Sequence, residues 1–241
     1  MFVFKTDGSF LFRFGDKSQC DNLKDPHGVS VHGGLVYVAD SGNHCIQVFN
    51  AADGRFIRKW GSEGKWEMQF KFPGGVAVAD GLLYVIDTNN HRVQVFRLDG
   101  DGKATHAFTW GSDGKGDAQF HYPTGVAVAA GVAYVCDTGN ERVQAFRAAD
   151  GKFLRTWGSQ GKGDGQFRFP HYVAATGGLV YVSDSYSHRV QVFNADGKFL
   201  RGWGSEGSNV GQFDQPHGVA VADGLVYVAD CRNSRVQVFR C

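Results

Sequence analysis

Methionine is nearly absent from this chain, two residues in 241, while glycine supplies 34. That imbalance excludes a bundle of long helices and points to many short strands joined by tight turns. Charge of one sign is lacking as well: 25 Lys and Arg stand against 24 Asp and Glu, a formal net charge of +1. Binding dominated by nucleic-acid phosphate or acidic lipid is therefore not expected, although a local basic patch fits inside such a balance. No apolar run approaches the roughly 20 residues needed to cross a bilayer as a helix, so no membrane partner is expected. Met1-Phe2-Val3-Phe4 runs straight into Lys5, Thr6 and Asp7, without the core of a signal peptide. The five cysteines (Cys20, Cys45, Cys136, Cys231, Cys241) are odd in number and lack CxxC spacing. They read as free thiols of a reducing compartment, which makes the cytoplasm the expected location.

Catalytic signatures are missing too. There is no Gly-x-Ser-x-Gly elbow and no His-Glu-x-x-His pair. Loops such as Gly111-Ser112-Asp113-Gly114-Lys115-Gly116 are rich in glycine, but no Gly-Lys-Ser/Thr follows and no helix is in prospect to complete a phosphate cradle. They read as ordinary loops.

What is present is a repeat. Pro26, Pro73, Pro123, Pro170 and Pro216 are all the prolines in the chain, separated by 47, 50, 47 and 46 residues. The same sentence follows each. In the second copy it is Gly75-Val76-Ala77-Val78, a turn at Asp80-Gly81, and Leu83-Tyr84-Val85-Ile86-Asp87. The loop Thr88-Asn89-Asn90 then leads to Arg92-Val93-Gln94-Val95-Phe96, and a last apolar stretch ends in Trp110-Gly111. Four short runs rich in Val, Tyr and Phe, separated by glycine turns, predict four antiparallel strands per copy. Such a sheet cannot bury both faces alone, and repetition around an axis lets each pack on two neighbours. The expected fold is all-β: a closed five-bladed β-propeller forming one domain over residues 1–241. The fifth copy stops after its third strand, and Thr6–Gly15 matches Ala195–Gly204 position for position. The N-terminal strand is therefore expected to complete the last blade. A start inside a strand pattern suggests either that circular closure or a cut domain.

The string Pro-x-Gly-Val-Ala-Val…Tyr-Val-x-Asp-Thr-x-Asn-x-Arg-Val-Gln-Val-Phe resembles the NHL repeat, and it recurs five times over essentially the whole chain. NHL propellers usually have six blades; this chain supplies five, so it is either a five-bladed ring or part of a larger one, and the complementary ends favour five.

Antiparallel alternation sorts the loops. The Pro-x dipeptides, the Asp-x-x-Asn loops and the Gly-Ser-x-Gly loops share one face, while the other receives only short hairpin turns. The first face is the expected binding face. On it Arg92, Arg142, Arg189 and Arg235 each follow an aspartate by five residues: Asp87, Asp137, Asp184 and Asp230. They are candidate ligand contacts, or braces that hold an aspartate already bonded to its own loop. The first copy has Asp40 but Cys45 in place of the arginine. Trp60, Trp110, Trp157 and Trp203 recur at one position, with Phe14 in the same role, and read as packing between blades. Trp66 is unique to one loop and is a candidate contact residue.

After the prolines stand His27, Gly74, Thr124, His171 and His217. Three imidazoles with one open side make the ligand set of a catalytic zinc site, so His27, His171 and His217 are candidate metal ligands and zinc the candidate cofactor. In the NHL-like lyase of peptide amidation, histidines of Pro-His dipeptides hold such a metal, from alternating blades of six and not adjacent blades of five. Three functions stand open. One is a non-enzymatic scaffold for a protein or peptide partner. The second is a zinc-dependent lyase or hydrolase with Tyr172 as acid or base. The third is single-stranded RNA binding through the arginines, which the charge balance disfavours. Fold alone chooses none of them, and the lack of a catalytic set favours the first.

Overall fold

The computed structural model describes residues 1–15 and 22–241, and Cys20 lies outside them. Each repeat folds into a twisted antiparallel sheet whose strands are hydrogen-bonded in chain order. The first blade comprises Pro26–His32, Leu35–Asp40, Cys45–Asn50 and Phe56–Trp60. The second comprises Pro73–Ala79, Leu82–Asp87, Arg92–Leu98 and Ala104–Trp110, and the third Val126–Ala129, Val132–Asp137, Arg142–Arg147 and Phe153–Trp157. Pro170–Thr176, Leu179–Asp184, Arg189–Asn194 and Phe199–Trp203 form the fourth. The fifth has three strands among the described residues: Pro216–Ala222, Leu225–Asp230 and Arg235–Arg240. The fold is therefore all-β, built from the five blades of a β-propeller. No helix among the described residues is long and apolar enough to cross a membrane.

The chain divides into two compact units, Met1–Thr109 and Trp110–Cys241. In the first four blades the middle strands are buried on both faces, which is why Leu-Tyr-Val and Val-Gln-Val-Phe read as nearly continuous apolar runs, whereas Arg235–Arg240 of the fifth alternates between half-buried and exposed. Tryptophan joins consecutive blades as expected. In the first unit the Trp60 ring lies 4.9 Å from Phe96, and in the second Trp157 lies 5.9 Å from Phe193 and Trp203 5.5 Å from Phe239. Phe14 plays the same part against Phe49, at 4.6 Å. The hydroxyl after three of the aspartates adds a polar link to the next proline: Ser41 to the Pro73 carbonyl, Thr138 to that of Pro170 and Ser185 to that of Pro216.

The N-terminal residues form a hairpin of their own, Phe2–Phe4 against Phe10–Arg13. Its register, Val3 opposite Phe12 and Phe4 opposite Phe10, repeats that of Val192 with Arg201 and Phe193 with Phe199 in the fourth blade. So Thr6–Gly15, expected as a lone fourth strand for the last blade, arrives already paired to the counterpart of a third strand. A partner five residues away costs little loop-closure entropy, which explains the local choice.

Candidate functional site

The aspartate ending each second strand is the centre of a recurring buried cluster. Asp137 is fully buried and accepts from the His121 N–H at 2.7 Å, Asn140 Nδ2 at 3.0 Å, Arg142 Nε at 2.7 Å and Gln144 Nε2 at 3.0 Å. The 3-10 turn Thr138–Asn140 swings Asn140 back over it, and Glu141 follows in the left-handed region at φ 54° to let the chain reverse. Arg92, Arg189 and Arg235 repeat the contact to Asp87, Asp184 and Asp230 at 2.7, 3.0 and 2.7 Å.

These guanidinium groups are spent inside the chain. Arg142 Nη2 donates to the carbonyls of Gly116 and Gln119, Arg92 Nη2 to those of Trp66 and Gln69, and Arg189 Nη2 to those of Gly163 and Gln166. Arg235 holds Ser208, Asn209 and Gln212 in the same way. Each arginine thus ties its buried aspartate to the loop that enters the blade, which is the bracing geometry of the two readings. The carboxylates respond to their surroundings. Burial lifts Asp184 above the ordinary carboxylate range, against the Arg168 N–H and Arg189. For Asp230 desolvation also opposes ionisation, but the Asp214 N–H, Asn233, Arg235 and Gln237 together bring it below that range.

Two of the four braced loops present a large apolar side chain. In the first unit Trp66 is 70% exposed, its carbonyl held by Arg92 and its ring 5.7 Å from the Lys65 ammonium. In the second unit Val210 is 94% exposed on the loop that Arg235 holds. The residues before the prolines add to this, and sequence reasoning passed over them. Asp25, Phe72, Tyr122, Phe169 and Gln215 all have φ between 46° and 71°. Left-handed backbone costs a bulky residue about 1–3 kcal/mol, and such strain gathers where a side chain must be aimed. Phe72 is exposed beside His44, their rings 4.6 Å apart. Tyr122 is exposed beside His121 at 4.7 Å, and Phe169 stacks at 4.8 Å under the exposed Tyr186. A signal was available: three of the five residues preceding the prolines are aromatic while the prolines themselves persist.

The histidines are distributed over both units. His171 is buried, and its ring lies 4.2 Å from that of His217 and 5.7 Å from Phe169. Thr124 Oγ1 donates to the His171 carbonyl, fixing its strand. In this unit, among the described residues, no third ligating side chain stands with the pair. His27 belongs to the first unit, where desolvation lowers its pKa against the opposing effect of Asp25. Tyr172, the expected acid or base, has its hydroxyl enclosed by the core of the last two blades. Burial, with Cys136 nearby, pushes the phenol far above its ordinary value.

The NHL repeat family model matches residues 23–49, 70–96, 120–146, 167–193 and 213–239, together more than half of the chain. The chain belongs to the NHL-repeat family. Each match begins just before the proline or at the preceding Gln-Phe pair and ends with the third strand, so the NHL repeats carry the whole aspartate cluster. No curated protein matches the chain in sequence. Among solved structures the nidogen/laminin complex is similar at 15% identity and TM-score 0.68, over 91% of this chain and 77% of that one. A streptogramin B lyase is similar at 14% identity and TM-score 0.62, over 98% and 70%. BamB from Moraxella catarrhalis follows at 14% and 0.55, over 97% and 64%. At such identity these likenesses speak for the β-propeller fold alone.

Proposed function

We propose that this NHL protein is a non-enzymatic binding module that recognises a protein or peptide at the loop ends of its blades, where the Pro-x and Asp-x-x-Asn loops lie. One observation carries the reading: large exposed apolar side chains are one-sided in the loops. Trp66, Phe72, Tyr122, Tyr186 and Val210 all occupy loops of that end. Among the described residues none occupies the hairpin turns at the other end. Exposed aromatics on rigidly held loops are the usual anchors of protein interfaces, because they bury much area for little side-chain entropy. The nidogen/laminin structure is a protein complex, which agrees with this use of the fold.

The other readings find less support. Single-stranded RNA would need guanidinium groups that are committed to Asp87, Asp137, Asp184 and Asp230. The zinc reading finds two of its three imidazoles, His171 and His217, together in one unit.

The test is a comparison of two triple variants. Trp66→Ala/Tyr122→Ala/Tyr186→Ala alters the loop end, and Asp53→Ala/Asp150→Ala/Asp223→Ala alters the turns. Both variants alter exposed side chains and are expected to remain folded, which circular dichroism checks before binding is compared. The first variant should lose a partner that the unaltered chain retains on a column, by at least tenfold in affinity, and the second should keep it. Equal retention by both would end the proposal.

A further inference from the structure

One backbone bond recurs in all five blades and brings two side-chain positions together. The middle residue of the turn after the second strand donates its N–H to the carbonyl of the residue two places before the blade's proline. The pairs are Gly42 to Lys24 at 2.8 Å, Asn89 to Lys71 at 3.0 Å and Gly139 to His121 at 2.8 Å. Tyr186 donates to Arg168 at 3.0 Å and Arg232 to Asp214 at 3.1 Å. The two side chains of each pair leave the backbone side by side, as the glycines show. A Cβ at Gly42 would stand 2.7 Å from Lys24 Cγ, and one at Gly139 2.6 Å from His121 Cδ2. Of the five pairs, only Arg168 with Tyr186 sets an aromatic ring on the turn beside a cation.

That ring is the outer end of a column within the second unit. Phe169 covers one face of Tyr186, with centroids 4.8 Å apart and planes at 21°. Behind Phe169 lies the His171 ring at 5.7 Å and 18°, and behind that His217 at 4.2 Å. Tyr186 is 46% exposed, so its second face is open to a further ring. Arg168 is exposed as well, and among the described residues no carboxylate stands within ion-pair distance of its guanidinium. Arg189 of the same blade, by contrast, is bound to Asp184 at 3.0 Å. Asp184 itself is fully buried and takes the Arg168 N–H at 2.7 Å, which fixes the backbone beneath the pair.

We propose that Arg168 and Tyr186 form a receptor for an acidic residue next to an aromatic one in the partner. The partner's ring lies on Tyr186 as the next member of the column, and its carboxylate is held by the Arg168 fork. Charge decides the class of neighbour: a basic residue beside the ring would be repelled by Arg168, and a neutral one would leave the guanidinium unused. One free guanidinium suits one carboxylate, whereas a nucleic-acid strand is held by a row of cations. The proposal rests on the protein-recognition reading and names the chemistry of the segment recognised.

The experiment titrates the full chain with acetyl-Glu-Trp-amide, followed by the proton resonances of the peptide's indole. Acetyl-Gln-Trp-amide, acetyl-Glu-Leu-amide and uridine monophosphate are the controls. The Glu-Trp peptide should bind one to one, roughly tenfold or more tighter than any control, with indole resonances moved upfield by stacking. Arg168→Gln should reduce its affinity to that of the Gln-Trp control. Tyr186→Gly, which installs the residue found at this place in the first and third blades, should abolish the upfield shift. Circular dichroism checks that both variants fold. Absence of binding, or binding unchanged in Arg168→Gln, would overturn the proposal. Tighter binding of uridine monophosphate would overturn it in favour of a nucleotide. Arg168 and Phe169 are intact in the loop-end triple variant. A chain that ignores the Glu-Trp peptide yet loses its partner in that triple variant would sink this inference and leave the protein-recognition reading standing.

Discussion

Replacing Asp137 with alanine should destabilise the protein by about 3–5 kcal/mol, a large share of the roughly 5–15 kcal/mol that holds a domain folded. The carboxylate is fully buried and receives the His121 N–H, Asn140, Arg142 and Gln144. Without it three neutral donors lose their acceptor, and Arg142, whose side chain is 13% exposed, becomes a nearly buried cation with no countercharge. The last term dominates, since an uncompensated buried charge costs more than lost neutral bonds. Asp40→Ala provides the internal comparison. Cys45 stands where the arginine would be, so among the described residues no guanidinium is stranded, and the loss should be nearer 1–3 kcal/mol. Urea unfolding of both variants reads the difference directly. Equal losses would mean that the arginines do not brace the aspartates energetically.

Removal of residues 1–14 is the second large effect. Phe14 is buried in a cluster with Val36, Val38 and Phe49, and Met1, Val3 and Phe12 pack against it. Its ring lies 4.6 Å from that of Phe49, in the role that Trp60, Trp157 and Trp203 play elsewhere. The truncation strips the first blade of its cover and leaves an apolar face in water. A buried phenylalanine alone contributes about 3–5 kcal/mol when deleted, and Phe12 and Val3 add to that. The truncated chain should melt well below the intact one, or aggregate on expression. Retention of the intact melting temperature would show that the hairpin is dispensable and that its packing carries no weight.

The repeat was legible because its markers are steric. Proline begins four of the five first strands, Val, Tyr and Phe fill the second and third, and tryptophan recurs where one blade meets the next. The bracing of Asp87 by Arg92 was legible as one of two readings, since five-residue spacing across a tight turn brings such a pair together. The N-terminal pairing was harder. Residues 6–15 match a fourth strand by sequence, but only the register shows that Phe2–Phe4 comes with them as its partner. Backbone sign was not legible either. Nothing in the residue types Phe72 or Tyr122 announces φ near 50°, because the strain is imposed by the loop that delivers each proline. Cys45 was visible as an exception without a reason.

The central claim is that the loop ends of the blades, and not their hairpin turns, meet a protein partner. It is tested most directly by placing a photo-activated benzoylphenylalanine at single positions of the full chain and irradiating it in extract of its own source cells. Residues 66 and 122 report on the loops, residues 53 and 150 on the turns. The account predicts one discrete protein adduct, shared by positions 66 and 122, displaced by excess unlabelled chain, and absent from positions 53 and 150. Adducts formed equally from all four positions, or from the turns alone, would contradict it.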